Sequence, residues 1–392
     1  MNILILNTLY HPYGTGGAER STQLLAEGLV DRGHDVFILC TMPESGWAIE
    51  EQGGVTVYYT GLKNIYWPYD KQENPTVLKP VWHAVDSLNP WMQKRVRTVL
   101  ERVSPDILHT HNLGGFSVSA WRAADGESVP IVHTARDYSL LCPKNMFWKE
   151  ANCTGRCCKC RAFTISRKRQ SRRVDGFVGI SDFVLRRHEA HEYFSEAKKR
   201  VIYNPVDIEE ANTEEKKGKG GLKIGFLGRL SKRKGIRRMI KSVDFYESDV
   251  KMYVGGVGDE NYEKKVKKEA KKKPVTFLGF VDPTSFFEKV DVLIVPSVWH
   301  EPFGRVVIEA YAHSVPVIAA ERGGLPEIVR DGTTGFTYDP DNPKALNERI
   351  EAFRRQENLV QRMGEKARSE AGKYDVRTHV EEYNKFYNEV VG

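Results

Sequence analysis

Short apolar, β-branched runs alternate along this chain with stretches whose apolar positions recur at helical spacing. Residues 2–6, 35–40, 55–59, 106–109, 130–134 and 176–180 read as buried strands. Helical patterns lie among them at 18–32, 91–102, 115–124 and 182–191. In the first of these Ala18, Leu25, Ala26 and Leu29 share one face, and Gly33 is the stop. The alternation then restarts, with strands at 222–227, 250–254, 275–278, 291–295 and 316–319. Such alternation, without a repeat of solenoid length, predicts an α/β fold of doubly wound parallel sheets. Its restart predicts two Rossmann-like domains facing a cleft, divided at a polar tract, 209–221, of linker composition. The expected domains are 1–207 and 208–375, followed by a terminal helix in 376–392. Residues 66–80, rich in proline and aromatic side chains, read as a loop over a substrate cleft.

A loop fit for chemistry follows the first strand of each half. The first is His11-Pro12-Tyr13-Gly14-Thr15-Gly16-Gly17, where Gly16 and Gly17 let backbone N–H groups approach a phosphate. Its spacing is not the G-x-G-x-x-G of a dinucleotide site. The second is Gly228-Arg229-Leu230-Ser231-Lys232-Arg233-Lys234-Gly235, whose cations at a strand's carboxyl end suit a diphosphate. After the strand at 291–295, Pro302 and Gly304 break the chain before a helix over 305–312. Glu301 therefore falls in the loop and Glu309 one to two turns into the helix. The N–H groups of Gly304, Arg305 and Val306 point toward the crevice in which open α/β sheets bind ligands. Two carboxylates flanking an anion site fit a ligand with hydroxyls on both sides of a phosphate, and a nucleotide sugar is such a ligand. For an isolated E-x7-E spacing, two solvated glutamates on an ordinary helix would be the better reading.

The stretch 296–327 resembles the donor-binding signature of the family-4 retaining glycosyltransferases, which have the two-domain GT-B fold. Glu301, Glu309, Pro316-Val317-Ile318, Gly323-Gly324 and Glu327 carry the resemblance, and Gly16-Gly17-Ala18-Glu19 and Arg32-Gly33-His34 extend it. It implies that Glu301 contacts the donor sugar, that Glu309 holds the ribose hydroxyls, and that Arg229 and Lys234 bind the donor phosphates. Gly16, Gly17, Phe303, Gly304 and Val306 complete the donor site that it implies. The donor is then a UDP- or GDP-sugar, no catalytic metal is needed, and the terminal helix packs back on the first domain. Fixed cations facing the leaving diphosphate lower the barrier as its charge grows. No residue stands out as the far-face nucleophile of two-carboxylate retaining chemistry. The resemblance implies front-face attack instead, with the donor's own phosphate oxygen taking the acceptor's proton. Ser314 stands where the family has glycine and reads as a packing change.

A second departure concerns the sugar. In related sequences a histidine precedes the pair that is here Asp137-Tyr138 and contacts the transferred sugar; this chain has Arg136. The contact then falls to His133 or His111, with Arg136 free to bind a phosphate, while a hydrogen-bonded core role stays open for His133. Cysteines cluster just beyond. Cys142, Cys153, Cys157 and Cys160 could supply four thiolates to a structural zinc, with free or disulfide-bonded cysteines the alternative. Arg161, Arg167, Lys168, Arg169, Arg172 and Arg173 follow with no acid among them and with Phe163 and Ile165 interleaved. That run suits anionic headgroups or a pyrophosphate-linked acceptor, or else is a solvated helix face.

Composition bounds the rest. The 392 residues carry a net charge of +7, which points to an acidic partner, an anionic membrane among them. No apolar run approaches bilayer length, so the expected location is cytoplasmic, peripheral on the inner membrane face. The function expected is retaining hexosyl transfer from a nucleotide-sugar donor to a glycan or lipid-linked acceptor, in polysaccharide or glycolipid biosynthesis. One rival is a sugar-phosphate synthase or phosphorylase with a soluble acceptor. A zinc-containing nucleic-acid-binding protein is the other; it leaves Glu301, Glu309, Arg229 and Lys234 without a role, so no nucleic acid partner is expected.

Overall fold

The structure, a computed structural model, describes residues 1–14, 16–69, 76–143, 148, 151–208, 221–245, 249–356 and 358–392. The chain divides into two compact units, Met1–Pro205 with Val376–Gly392, and Val206–Asp375. Of the tract expected as a linker, 209–220 lies outside the described residues, as does 70–75 of the expected cleft loop.

Unit 1 is built on eight strands: β1 (Asn2–Leu6), β2 (Asp35–Met42), β3 (Trp47–Gln52), β4 (Val55–Gly61), β5 (Ile107–Thr110), β6 (Ile131–Ala135), β7 (Gly176–Gly179) and β8 (Lys198–Val201). Their order is β3-β4-β2-β1-β5-β6-β7-β8, parallel except for the β3–β4 hairpin. Strands β5, β6 and β7 are buried at every position, which is why they read as continuous apolar runs. The two edge strands, β3 and β8, are charged and largely exposed, so no apolar run announces them. Leu25 and Leu29 of the helix Gly17–Val30 pack with Val380, Tyr383, Phe386 and Tyr387 of the terminal helix Val376–Val391 in one core cluster over the sheet. The helix expected over 115–124 starts only at Ser119, because Gly115 and Ser117 take positive φ and turn the chain first.

Unit 2 has six parallel strands, β9 (Leu222–Leu227), β10 (Val250–Gly255), β11 (Val275–Gly279), β12 (Val292–Val295), β13 (Val317–Ala320) and β14 (Gly335–Tyr338), in the order β11-β10-β9-β12-β13-β14. In each sheet the chain winds outward from a central strand to one side, then returns to build the other. The crevices this leaves lie at the carboxyl ends of β1 and β5 in unit 1 and of β9 and β12 in unit 2. Ser314 has φ +56, so backbone conformation, not packing, is what suits a glycine there. No helix among the described residues is long and apolar enough to cross a membrane.

Candidate active site

The loops after β9 and β12 meet at the unit 2 switch point, and glycines let them do so. Gly235 has φ +74, and a Cβ there would lie 1.9 Å from the Pro296 carbonyl oxygen. Gly323 has φ +65, and its Cβ would lie 2.1 Å from the Glu301 carbonyl oxygen, which accepts from Gly324 N–H at 2.8 Å. Glu301 is thus fixed by its backbone, and only 7% of it is exposed. Its carboxylate is fully engaged: Oε1 accepts from Lys234 Nζ at 2.8 Å and Oε2 from Ser297 Oγ at 2.9 Å. The structure therefore brings Lys234 and Glu301 together as an ion pair, 67 residues apart in sequence.

Glu309 lies on the helix Arg305–Ala312 and accepts from Arg305 Nε at 2.8 Å, one turn away. Gly304 caps that helix with φ +102, a conformation strained for any side chain, and a Cβ would press on Leu325. The Phe303 ring is buried edge-on against Tyr374, so its side chain serves the core of unit 2. Val306 follows in the first turn. Arg229, exposed after β9, acts electrostatically on Arg233, whose guanidinium lies 4.9 Å over the Trp299 ring. Burial, with Arg229 adding to it and Glu301 opposing it, lowers the Arg233 pKa. Arg233 and Ser297 are the site residues that the sequence reading did not single out. The first was hidden in a run of like residues, and the second has no motif.

In unit 1, Gly16 caps the helix Gly17–Val30 after β1. Arg136 lies buried just after β6, donating Nε–H to His111 Nδ1 at 3.1 Å and Nη1–H to Asn204 Oδ1 at 2.6 Å. Burial, helped by His109 and Arg136, holds His111 far below the usual histidine range. With Nδ1 accepting, its proton sits on Nε2, which has no partner among the described residues. His133 is different. Its Nδ1 pairs with Thr110 Oγ1 at 2.9 Å, its ring stacks on Phe194 and abuts Trp121, and burial pushes it down to about 3. That is a core histidine, and the function proposed below does not use it.

The basic run does not form a patch of six free cations. Arg167 is buried against Asp86, Lys168 pairs with Glu192, and Arg173 pairs with Asp125. The acids absent from the run arrive from other elements. Cys142, Cys157 and Cys160 come together, and burial with the neighbouring thiols pushes Cys160 up to about 12. Among the described residues no group of three or more His, Cys, Asp or Glu side chains is arranged to hold a metal ion.

Parallel α/β units with cations and carboxylates gathered at a switch point define a glycosyltransferase of the GT-B class. Anabaena Alr3699/HepE in complex with UDP and glucose has the same fold, with a TM-score of 0.74 over 99% of each chain at 20% identity. The chain belongs to glycosyltransferase family 4, matched over residues 15–210, and the model of glycosyl transferases group 1 matches residues 207–370. Among its relatives is an uncharacterized 42.6 kDa protein in the cps region of Klebsiella pneumoniae, 33% identical over 84% of this chain and 88% of that one. Another is the capsular polysaccharide biosynthesis glycosyltransferase CapM of Staphylococcus aureus, 32% identical over 42% of this chain and 45% of that one.

Proposed function

We propose that the protein transfers a hexosyl group from a nucleotide-sugar donor to a glycan or lipid-linked saccharide with retention of configuration, in polysaccharide biosynthesis. The observation that carries this is the gathering of Arg229, Arg233, Lys234 and Glu301 on one sheet crevice in unit 2, with Glu309 on the helix that starts from the same loop. In this reading the diphosphate draws Lys234 and Arg229, Glu309 accepts from the ribose hydroxyls, and Glu301, released from Lys234, accepts from the donor sugar. UDP and glucose, bound by HepE, supply the first donor to try. Glu309→Ala is expected to weaken nucleoside diphosphate binding by roughly tenfold or more, the worth of a charge-assisted hydrogen bond. Glu301→Ala is expected to reduce turnover with little change in that affinity. Calorimetric titration with UDP and GDP, set beside initial rates, checks this; equal losses of affinity in both variants would refute the division of roles.

The cysteine cluster is proposed to hold one structural zinc ion outside the chemistry, with Cys142, Cys153, Cys157 and Cys160 closing around it as thiolates. Thiols in hydrogen-bonding contact cannot all ionise unless a cation shares them. Cys157→Ser and Cys160→Ser are expected to release the ion and leave donor binding intact. Elemental analysis of reduced, tag-free protein that finds no metal would end this proposal.

A further inference from the structure

A pocket of about 640 Å³ opens at the unit 1 switch point, beyond the carboxyl ends of β1, β5 and β6. Two of its lining rings, Tyr66 and Trp82, lie 6.2 Å apart and inclined by 32°. The indole N–H is held on the Tyr66 carbonyl at 3.1 Å, which fixes the plane of Trp82. Three carboxylates also line it: Glu19, Asp86 and Asp137.

Their charges are not equally matched. Asp86 is neutralised by buried Arg167 at 3.3 Å and accepts from Gly115 N–H at 2.6 Å. Asp137 Oδ1 accepts from Ser139 N–H at 2.7 Å, and the Ser139 side chain adds a second hydrogen bond to the same carboxylate. Glu19 has neither hydrogen bond nor ion pair among the described residues. Burial raises Asp137 above the usual carboxylate range, outweighing the Ser139 hydrogen bonds and the Arg167 charge that oppose it. The Tyr69 phenol lines the same space, and burial, with Asp86, Glu19 and Asp137 adding to it, raises its pKa. His83 adds to this wall: burial, with Arg167 and Lys79 near, keeps it neutral, and its Nδ1 is buried with no partner among the described residues.

A phosphate or carboxylate entering here would meet Glu19, Asp86 and Asp137, against Lys79 and an Arg167 already paired with Asp86. A pyranose presents apolar C–H faces to aromatic rings and hydroxyl donors to acceptor-only oxygens. We propose that this pocket takes an uncharged pyranose residue of the acceptor, with the carboxylates of Glu19 and Asp137 accepting its hydroxyl protons, and that it excludes uronate- and phosphate-bearing sugars. The inference rests on the transferase reading and goes on to name the class of acceptor.

Saturation-transfer NMR tests it on the full chain. The probes are methyl glycosides of glucose, galactose, mannose and N-acetylglucosamine, set against glucuronic acid and glucose 6-phosphate. UDP and GDP are titrated in a separate arm. At least one neutral glycoside is expected to bind and the acidic sugars are not. Asp137→Asn and Glu19→Gln, both near-isosteric, are each expected to weaken that binding roughly tenfold, with nucleotide affinity unchanged. The proposal is overturned if an acidic sugar binds as well as the neutral ones, if no neutral glycoside binds, or if both variants bind unchanged. Nucleotide binding without saccharide binding would overturn the pocket assignment alone. Loss of both in the parent protein would overturn the transferase reading as well.

Discussion

Lys234→Ala is expected to lower kcat by about 10²–10³-fold while weakening nucleoside diphosphate binding by about tenfold at most. The asymmetry follows from where the charge is. In the ground state the diphosphate already carries its negative charge and shares it with Arg229 and Arg233. As the glycosidic bond breaks, further charge develops on the leaving oxygen, and only interactions that strengthen at that point raise kcat. Lys234 has a second task, because it is the cation that neutralises Glu301 in the structure. Removing it leaves a nearly buried carboxylate with the Ser297 hydrogen bond and the Arg233 charge, an arrangement that destabilises by several kcal/mol when a buried pair is broken. The double variant Lys234→Ala, Glu301→Gln separates the tasks: it is expected to recover stability and not turnover. Single-turnover rates and urea unfolding of the three proteins check this. Normal kcat with only a raised KM would refute the electrostatic role.

Mild acid is expected to destabilise unit 1 as pH falls from 6.5, with a slope that reaches about 3 kcal/mol per pH unit near pH 5. Burial lowers seven of the described histidines there, and the four deepest carry most of the effect. Burial pushes His133 down to about 3 and His188 to about 4, and holds His109 and His111 far below the ordinary range. Below their unfolded value of about 6.5, the unfolded chain takes up protons that the native state refuses, so stability falls with pH. Asp86, raised to about 7 by burial, and Asp137, also raised, act in the opposite sense, because their native forms take up protons first. The net is about two protons, and the loss is a large share of the roughly 5–15 kcal/mol typical of a domain. His109 shows why relaxation cannot relieve this: Nε2 meets Thr134 Oγ1 at 2.7 Å and Nδ1 meets the Tyr387 hydroxyl at 2.6 Å. Urea midpoints at pH 7, 6 and 5 measure the slope. A flat profile would show that these rings titrate as they do in water.

The alternation of strand and helix patterns was enough to read two parallel α/β sheets, because strands buried on both faces must be continuous apolar runs. It could not show β3 or β8. Edge strands bury little, and their residues are chosen against further pairing, so Glu50, Glu51, Lys198 and Lys199 look like loop. The start of the helix at Ser119 was equally hidden, since Ser117 adopts a positive φ that its residue type does not advertise.

For the site, residue type and spacing located the loops and the helix start, because a strand end and a glycine break are local events, and the family resemblance then singled out Glu301, Glu309, Arg229 and Lys234. Which of them touch is a matter of two loops brought together across the β9–β12 switch point, and only tertiary structure could join Lys234 to Glu301 or add Ser297 and Arg233. The same limit governs the basic run and the histidines. Periodicity gives the angle of a side chain on its own helix or strand, but not what faces it. Arg167 became half of a buried ion pair and His133 a core ring because Asp86, Phe177 and Phe194 arrive from elements distant in sequence. Charge and polarity are properties of residues; burial and partnership belong to the packed chain, and they decided which cations and rings remained available for chemistry.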